Sequence, residues 1–261
     1  MAAKTALVLS AGGMFGAYQA GAWQELSARF QPDLVVGASA GALNGWAIAG
    51  GCAPDELIRR WMDQSSSAFL KPQASRRLWR GFFDDVSFSH HVRDFFSLFT
   101  PRIPCGVVIT DLVRRSARLV SSPAVTWQHL AASAAIPIGL PPVRINGRWY
   151  ADGGLLNPLP IWAAAEMGAT RVVAVNALPV LPTRVLRAGV RVLRFLSPRI
   201  PPPASLEVML IRPAGSLGTL TESLRWNRDT IQRWIDQGAE DARRVIQSAP
   251  AGRDFTPCVL Q

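Results

Sequence analysis

Residues 34–45, LVVGASAGALNG, decide the predicted fold, because they read as a buried strand that turns sharply into a helix of small residues. The turn carries Ser39 between Gly37 and Gly41, the pattern G-x-S-x-G. In this setting the serine takes a strained backbone conformation, and glycines flank it because larger side chains would collide with the strand and the helix. We therefore predict that Ser39 points its hydroxyl into solvent above the sheet. A turn rich in alanine, glycine and serine also gives this pattern by chance, so the rest of the chain has to decide.

The composition is that of a folded globular chain. Hydrophobic residues make up 49% of the 261 residues and charged residues only 18%, so there is ample material for a core and the chain is not disordered. We predict one domain spanning residues 1–261.

The net charge of +10 is carried almost entirely by arginine, with Lys4 and Lys71 the only lysines. Such a charge favours anionic partners such as a membrane surface or phosphate-bearing substrates, although a compositional bias toward arginine explains it equally well. The sequence has no zinc-finger or RNP pattern and no lysine-rich tail, so we expect no nucleic acid partner.

The three cysteines, Cys52, Cys105 and Cys258, are odd in number and lack the spacing of metal ligands. We therefore expect reduced thiols in a cytoplasmic setting, with no disulfide framework, no metal and no cofactor. No run approaches the roughly 20 apolar residues of a membrane span. The first residues look like a short signal peptide, but cleavage there would delete the first predicted strand, so we reject that interpretation.

A second glycine turn follows the first strand, residues 5–10, and precedes a helix through about residue 30. Its sequence, AGGMFG at residues 11–16, places free N–H groups where they converge on one point. Dinucleotide binding would need an acidic residue at the end of the second strand, which ends in Gly37-Ala38-Ser39 instead. We therefore favour an oxyanion hole in which the N–H groups of Gly12 and Gly13 point toward a substrate held by Ser39.

A third informative stretch, GRWYADGG at residues 147–154, is a strand that delivers Asp152 into a turn with Gly153 and Gly154. Taken alone, Asp-Gly is most often a plain turn. The positions of the histidines change this interpretation. In serine hydrolases built on an α/β sheet, the catalytic triad follows the chain order serine, then aspartate or glutamate, then histidine. All three histidines, at positions 90, 91 and 129, precede Asp152, and neither lysine is well placed. A nucleophilic Ser39 therefore needs a carboxylate base, and Asp152 is the best-presented one.

These residues resemble the patatin-like phospholipases, lipid acyl hydrolases with a Ser/Asp dyad. The resemblance covers most of the chain and rests on five blocks in the same order: the turn at residues 11–16, Gly37 to Gly41, Thr110-Asp111-Leu112, residues 132–137 (ASAAIP), and residues 152–160 (DGGLLNPLP). It implies a three-layer α/β/α fold with a mostly parallel central sheet, and phospholipid or other acyl-ester substrates. It also implies that Ser39 is the nucleophile, Asp152 the base, and the turn containing Gly12, Gly13 and Gly16 the oxyanion hole.

Two residues depart from the family pattern: Ala11 replaces the first of three glycines, and Phe15 replaces a basic residue. Ala11 fits the turn if its φ is negative. Phe15 motivates the alternative function, a catalytically weak relative that binds acyl lipid or a protein partner.

The remaining segments are predicted from periodicity. Strand patterns at 106–113 and 117–121 favour a hairpin, and residues 127–136 a helix that Pro137 stops; further elements are a helix at 160–167, strands at 171–178 and 206–212, and a closing helix or helix pair at 221–247. The aromatic-rich stretch 65–104 is either a helical lid over an apolar channel or a helical subdomain with its own core.

The segment 183–203 is basic. The spacing of Arg184, Arg187, Arg191 and Arg194 would gather them on one helix face, as in an interfacial helix attracted to anionic lipid. A surface helix with its arginines in water fits equally well. We therefore expect a cytoplasmic protein for which peripheral membrane contact is one of two alternatives.

Overall fold

The computed structural model describes residues 3–63, 85–137, 139–178 and 206–248. Its centre is an eight-stranded, mostly parallel sheet. The strands are β1 Thr5–Leu9, β2 Leu34–Ala38, β3 Cys105–Asp111, β4 Ser116–Ser121, β5 Val143–Ile145, β6 Arg148–Asp152, β7 Arg171–Val175 and β8 Glu207–Ile211. The predicted α/β class and mostly parallel sheet are confirmed.

The strand order is β5-β6-β3-β2-β1-β7-β8, with β4 paired to β3 outside this path. The pairs β1/β2, β1/β7, β2/β3 and β7/β8 are parallel, whereas β4 and β6 run antiparallel to β3. The central strands are almost entirely apolar, as expected for parallel strands that are buried on both faces.

Helices cover both faces of the sheet and complete a three-layer α/β/α fold. They are α1 Gly16–Ser27, α2 Ala40–Ala49, α3 Pro54–Met62, α4 Asp85–Leu98, α5 Trp127–Ser133, α6 Ile161–Glu166, α7 Leu220–Leu224 and α8 Arg228–Ser248. Alternate residues of β1 divide the core in two: Leu7 and Leu9 belong to the large cluster that includes α1, α2 and α8, whereas Ala6 and Val8 pack in a smaller cluster with α6.

Several predicted elements are confirmed, but some end earlier than predicted; the strand predicted over 171–178, for example, is β7 and ends at Val175. The predicted hairpin is the antiparallel pair β3/β4, and the closing segment is a pair of helices, α7 and α8. The helix predicted over 127–136 ends at Ser133, because the chain tightens into turns there and the Ala135 carbonyl accepts the Asp152 N–H (N to O distance 3.1 Å). The short strand β5, which pairs with β6, was not predicted.

Two predicted segments lie partly or wholly outside the described residues. Within the stretch 65–104, residues 85–104, which include α4, are described and residues 65–84 are not. The arginines of the basic segment, Arg184, Arg187, Arg191 and Arg194, also lie outside the described residues. None of the helices in the described ranges has the length and apolar character that a membrane crossing requires.

Candidate active site

The pairing of β3 brings the ends of β2 and β6 together. Val108 pairs with Ala38 at the end of β2, and the next residue, Ile109, pairs with Asp152 at the end of β6. Because β4 occupies one edge of β3 over residues 106–111, β2 and β6 must share the other edge end to end. Ser39, the residue after β2, therefore lies beside Asp152, although the two are far apart in sequence.

Ser39 lies in a strained turn between β2 and α2. Its φ is 56° and its ψ is −128°, a conformation that L-residues rarely adopt and that marks the serine turn of α/β hydrolases. A Cβ on Gly37 would meet the Gly41 carbonyl, and one on Gly41 would meet the carbonyls of Leu9 and Ser10. The two glycines thus allow strand, helix and turn to pack closely enough to hold Ser39 in this conformation.

Ser133, at the end of α5, holds the Ser39 backbone. Its Oγ accepts the Ser39 N–H (N to Oγ distance 2.9 Å) and donates to the Val108 carbonyl (2.7 Å). Both Ser39 and Ser133 are buried, so the prediction that Ser39 points into solvent is wrong: it borders a cavity lined mainly by apolar side chains. One hydroxyl therefore satisfies a buried donor and a buried acceptor and ties the serine turn to the sheet.

Asp152 is buried, with 6% of its surface exposed. Its Oδ1 accepts the Gly154 N–H (2.7 Å), its side chain is hydrogen-bonded to the Ser39 side chain, and its carbonyl accepts from Thr110 Oγ1 (2.8 Å). Burial raises the pKa of Asp152 from 3.8 to about 6, against the smaller lowering effects of the hydrogen bonds from Ser39 and Gly154. The carboxylate is therefore a better proton acceptor than an exposed aspartate.

Gly153 and Gly154 leave room for this arrangement. A Cβ on Gly153 would meet the Val108 carbonyl, and one on Gly154 would meet the Ala11 side chain. The aspartate turn consequently packs directly against both the sheet and the glycine turn.

The glycine turn begins α1 through a short 3-10 turn, Gly13–Phe15. Gly13 has a φ of 57°, and a Cβ there would meet the Ser223 carbonyl, so only glycine fits. Among the described residues, no hydrogen bond is found from the N–H groups of Gly12, Gly13 or Met14, nor from that of Ala40 at the start of α2. Unpaired donors are normal at helix starts, where they provide sites for negative charge.

Gly16 has a different place from that expected of an oxyanion donor. Its N–H is directed to the Gly13 and Met14 carbonyls, and a Cβ would lie 2.6 Å from the Trp61 ring. Its contribution is therefore close packing. Ala11 is not among the described residues with positive φ, so it is tolerated as expected. Phe15 is buried, and its ring lies 4.9 Å from the Trp234 ring, edge to face.

A buried polar network supports the glycine turn from behind. Asn44 Nδ2 donates to the Gly16 carbonyl and to Gln19 Oε1 (both 2.9 Å), and Trp61 Nε1 donates to Asn44 Oδ1 (3.0 Å). Gln19 Nε2 continues the network to the Ser10 carbonyl (2.6 Å). These bonds connect α1, α2 and α3, and the sequence analysis did not identify them.

A cavity of about 120 Å³ opens beside Ser39. It is lined by Gly13, Met14, Ser39 and Ala40, but not by Gly12. The rest of its lining is mainly apolar, with one amide and one guanidinium: Leu43, Asn44, Leu57, Arg60, Trp61, Phe88, Phe95, Ala134, Ile136 and Trp226. The cavity therefore suits the apolar part of a ligand that contacts Ser39.

The other candidate groups have structural partners or lie elsewhere. His129 Nδ1 accepts the Thr126 N–H at the start of α5 (3.0 Å), and His91 Nδ1 contacts the Ser87 carbonyl (2.7 Å). Cys52 and Cys105 are buried free thiols, and burial raises the pKa of Cys105 to about 12. In the described ranges, no three His, Cys, Asp or Glu side chains come together as metal ligands would.

Two features of the site were not predicted from the sequence: the contacts that Ser133 and Thr110 make with the two turns, and the N–H groups of Met14 and Ala40 for which no partner is found among the described residues. Ser133 and Thr110 stand in the blocks that carry the family resemblance, but the sequence alone gave them no role. Met14 and Ala40 stand at helix starts, where backbone N–H groups normally lack a partner within the helix, and this position could have identified them from the sequence.

Two curated relatives resemble the chain. It is 28% identical over 183 residues to patatin-like phospholipase domain-containing protein 7 of Rattus norvegicus, an alignment that covers 66% of this chain and 13% of the relative. It is 29% identical over 231 residues to an uncharacterized NTE family protein of Mycobacterium bovis, covering 84% of this chain and 37% of the relative. The chain thus spans well under half the length of these relatives.

The fold is similar to a solved structure, VipD from Legionella pneumophila. The TM-score is 0.60 at 14% sequence identity, and the alignment covers 95% of this chain and 67% of that one. The sequence profile described as Patatin-like phospholipase matches residues 7–165, more than half of the chain and including both Ser39 and Asp152. The chain therefore belongs to the patatin-like phospholipase family.

Proposed function

We propose that this chain is a serine lipid acyl hydrolase, of the phospholipase A, lysophospholipase or esterase type, in which Ser39 and Asp152 act as a dyad. Family membership supports lipid acyl hydrolysis at the level of the family and a lipid substrate. The observation that carries the finer proposal is the hydrogen bond between the Ser39 side chain and the buried Asp152 carboxylate, beside an apolar cavity.

In the proposed first half-reaction, Asp152 accepts the Ser39 proton while Ser39 Oγ attacks the ester carbonyl. The carbonyl oxygen becomes an oxyanion, which the N–H groups of Gly12, Gly13 and Met14 in the glycine turn stabilise. The N–H of Ala40, at the start of α2, adds a further donor. Protonated Asp152 then gives the proton to the leaving alkoxide, and the acyl group stays on Ser39.

In the second half-reaction, Asp152 takes a proton from water, and the water oxygen attacks the acyl carbonyl. The oxyanion forms again, Ser39 leaves with the proton held by Asp152, and the carboxylic acid is released. An aspartate with a pKa of about 6 is ionised at neutral pH and remains a usable base, because general bases work best with a pKa near the working pH.

The test is hydrolysis of p-nitrophenyl butyrate, followed by a panel of phospholipids and lysophospholipids. We expect Ser39→Ala and Asp152→Asn each to lower kcat/KM by about 10⁴-fold, because members of such a unit act together. Labelling by a fluorophosphonate probe should be lost in both variants. Matched controls are Ser27→Ala and Asp55→Asn; Ser27 is half-buried, Asp55 is exposed, and neither lines the cavity.

Retained activity in a correctly folded Ser39→Ala or Asp152→Asn protein would contradict the dyad. Absence of probe labelling and of ester hydrolysis in the wild-type protein would instead favour the alternative, a catalytically weak family member that binds acyl lipid or a protein partner. This alternative rests on Phe15, which is buried and replaces the family's basic residue.

We also propose that peripheral contact with anionic membrane is made through Arg184, Arg187, Arg191 and Arg194, which lie outside the described residues. Their spacing and the net charge of +10 support it. Sedimentation with vesicles of neutral lipid, with and without added anionic lipid, is the test. Equal binding to both kinds of vesicle, or none, would dispose of this contact.

A further inference from the structure

Arg60 is the charged residue in the wall of the cavity beside Ser39. It lies on α3, in the same wall as the apolar residues Leu57 and Trp61, and its side chain is 31% exposed. A guanidinium in a mainly apolar cavity next to a reactive serine calls for a partner, because burying a charge without one is costly.

The known partners of Arg60 leave part of it unsatisfied. Its Nη2 lies 2.8 Å from Glu56 Oε1, its guanidinium carbon lies 5.2 Å from the centre of the Phe99 ring, and it also hydrogen-bonds the Cys52 thiol. Among the described residues, its buried Nε has no hydrogen-bond partner. Buried donors are nearly always paired, so this Nε shows that the contacts on α3 do not use the full hydrogen-bonding capacity of the guanidinium, which also borders the cavity.

Glu56 does not neutralise the site. Its other oxygen, Oε2, lies 2.6 Å from Arg59 Nη2, so a single carboxylate serves two guanidinium groups. The trio of Glu56, Arg59 and Arg60 therefore keeps one positive charge. Of the two arginines, only Arg60 lines the cavity, whereas the Arg59 side chain is 72% exposed.

We propose that Arg60 binds an anionic oxygen carried by the ligand, from a phosphate or a carboxylate group, so that the cavity prefers anionic amphiphiles to neutral ones. Guanidinium groups suit this task because their fixed donors match the oxygen spacing of both anions. As a statement about substrate, the proposal rests on the proposed acyl hydrolase function, because it places the anionic group in the cavity that borders Ser39.

The test is direct binding, which does not require turnover. Octyl phosphate, octanoate and neutral 1-octanol are titrated calorimetrically into the wild-type protein, Arg60→Met, Arg60→Lys and Arg59→Met. We expect at least one anionic ligand to bind the wild type about tenfold or more tightly than octanol, since a hydrogen bond to a charged group has about this effect. Tighter binding of octyl phosphate would indicate a phosphate-bearing head group, and tighter binding of octanoate a carboxylate.

The variants separate a specific contact from general charge. Arg60→Met should remove the preference for anions, Arg60→Lys should keep part of it, and the matched control Arg59→Met should keep all of it. Equal binding of octanol and both anions to the wild type would overturn the proposal. So would a preference that survives in folded Arg60→Met, or that Arg59→Met removes equally.

The outcome is distinguishable from that of the proposed function. Anion-selective binding without ester hydrolysis would contradict the hydrolase and leave the Arg60 site standing. Ester hydrolysis by a protein that binds octanol and the anions equally would do the reverse.

Discussion

The turns that carry Ser39 and Asp152 meet beside the middle of β3, yet they strain the folded protein in different ways. Ser39 has an unfavourable backbone, with a φ of 56°, whereas Asp152 has an ordinary φ of −45°. The strain at Asp152 is electrostatic: burial makes the ionised carboxylate unfavourable and raises its pKa to about 6. Neither the strained backbone nor the buried carboxylate stabilises the folded protein. Such unfavourable features are expected at functional sites.

The two turns are also held differently. The serine turn depends on Ser133, whose hydroxyl satisfies both the Ser39 N–H and the Val108 carbonyl. The aspartate turn depends on Thr110, whose hydroxyl satisfies only the Asp152 carbonyl. The comparison predicts that the two turns respond differently to pH, to loss of their supporting hydroxyl and to replacement by glycine.

The largest expected stability effect comes from Asp152→Asn and depends on pH. The folded-state pKa of about 6 lies above the ordinary value of 3.8, so the aspartate's favourable contribution is complete below about pH 3.8 and is lost as the pH rises through about 6. At about 1.4 kcal/mol per pKa unit, the buried carboxylate costs up to about 3 kcal/mol above pH 7. Relative to wild type, Asp152→Asn should therefore be more stable at pH 8 than at pH 4 by about that amount.

Urea unfolding of both proteins at pH 4, 6 and 8 measures this difference. Asp55→Asn, which changes an exposed residue on α3, is the matched control. A difference between Asp152→Asn and wild type that stays constant from pH 4 to pH 8 would show that ionised Asp152 is not strained by burial.

The next effect separates the two supporting hydroxyls. Ser133→Ala should lower the free energy of unfolding by about 2 kcal/mol, because it leaves a buried N–H and a buried carbonyl without their partner. Thr110→Val should cost about 1 kcal/mol, since only a carbonyl loses a bond and carbonyls tolerate this better than N–H groups. Equal losses in chemical denaturation would mean that Ser133 has no special role in holding Ser39.

The smallest effect isolates the backbone strain at Ser39. Ser39→Gly and Ser39→Ala both remove the hydroxyl, but only glycine relieves the positive φ. Strain of this kind costs about 1–3 kcal/mol, and the flexibility of glycine offsets roughly 0.5–1 kcal/mol of the gain. We expect the glycine variant to be about 1 kcal/mol more stable than the alanine variant by thermal or urea unfolding. A more stable alanine variant would argue against strain in this turn.

The sequence predicted the parts of the site that depend on local constraints. The glycines around Ser39 and after Asp152 are needed because backbone passes close to them, and this requirement is readable as a pattern. The position of all three histidines before Asp152 directed attention to a carboxylate base without any structural information.

Features that depend on tertiary contacts could not be predicted. The ends of β2 and β6 meet because both strands pair with the same edge of β3. The sequence of neither strand indicates this pairing. The early end of α5 has the same origin, since the Ala135 carbonyl bonds to a residue of β6. The place of Arg60 in the cavity wall likewise depends on how α3 packs against the helices around it.

The central claim, that Asp152 is the base for Ser39, is tested most directly by the pH dependence of kcat/KM for p-nitrophenyl butyrate, a substrate that does not itself titrate. Because kcat/KM reports ionisations of the free enzyme, the acidic limb should fall tenfold per pH unit below about pH 6. An unchanged rate from pH 7 down to pH 4.5 would contradict the account. So would the same limb persisting in active Asp152→Asn protein.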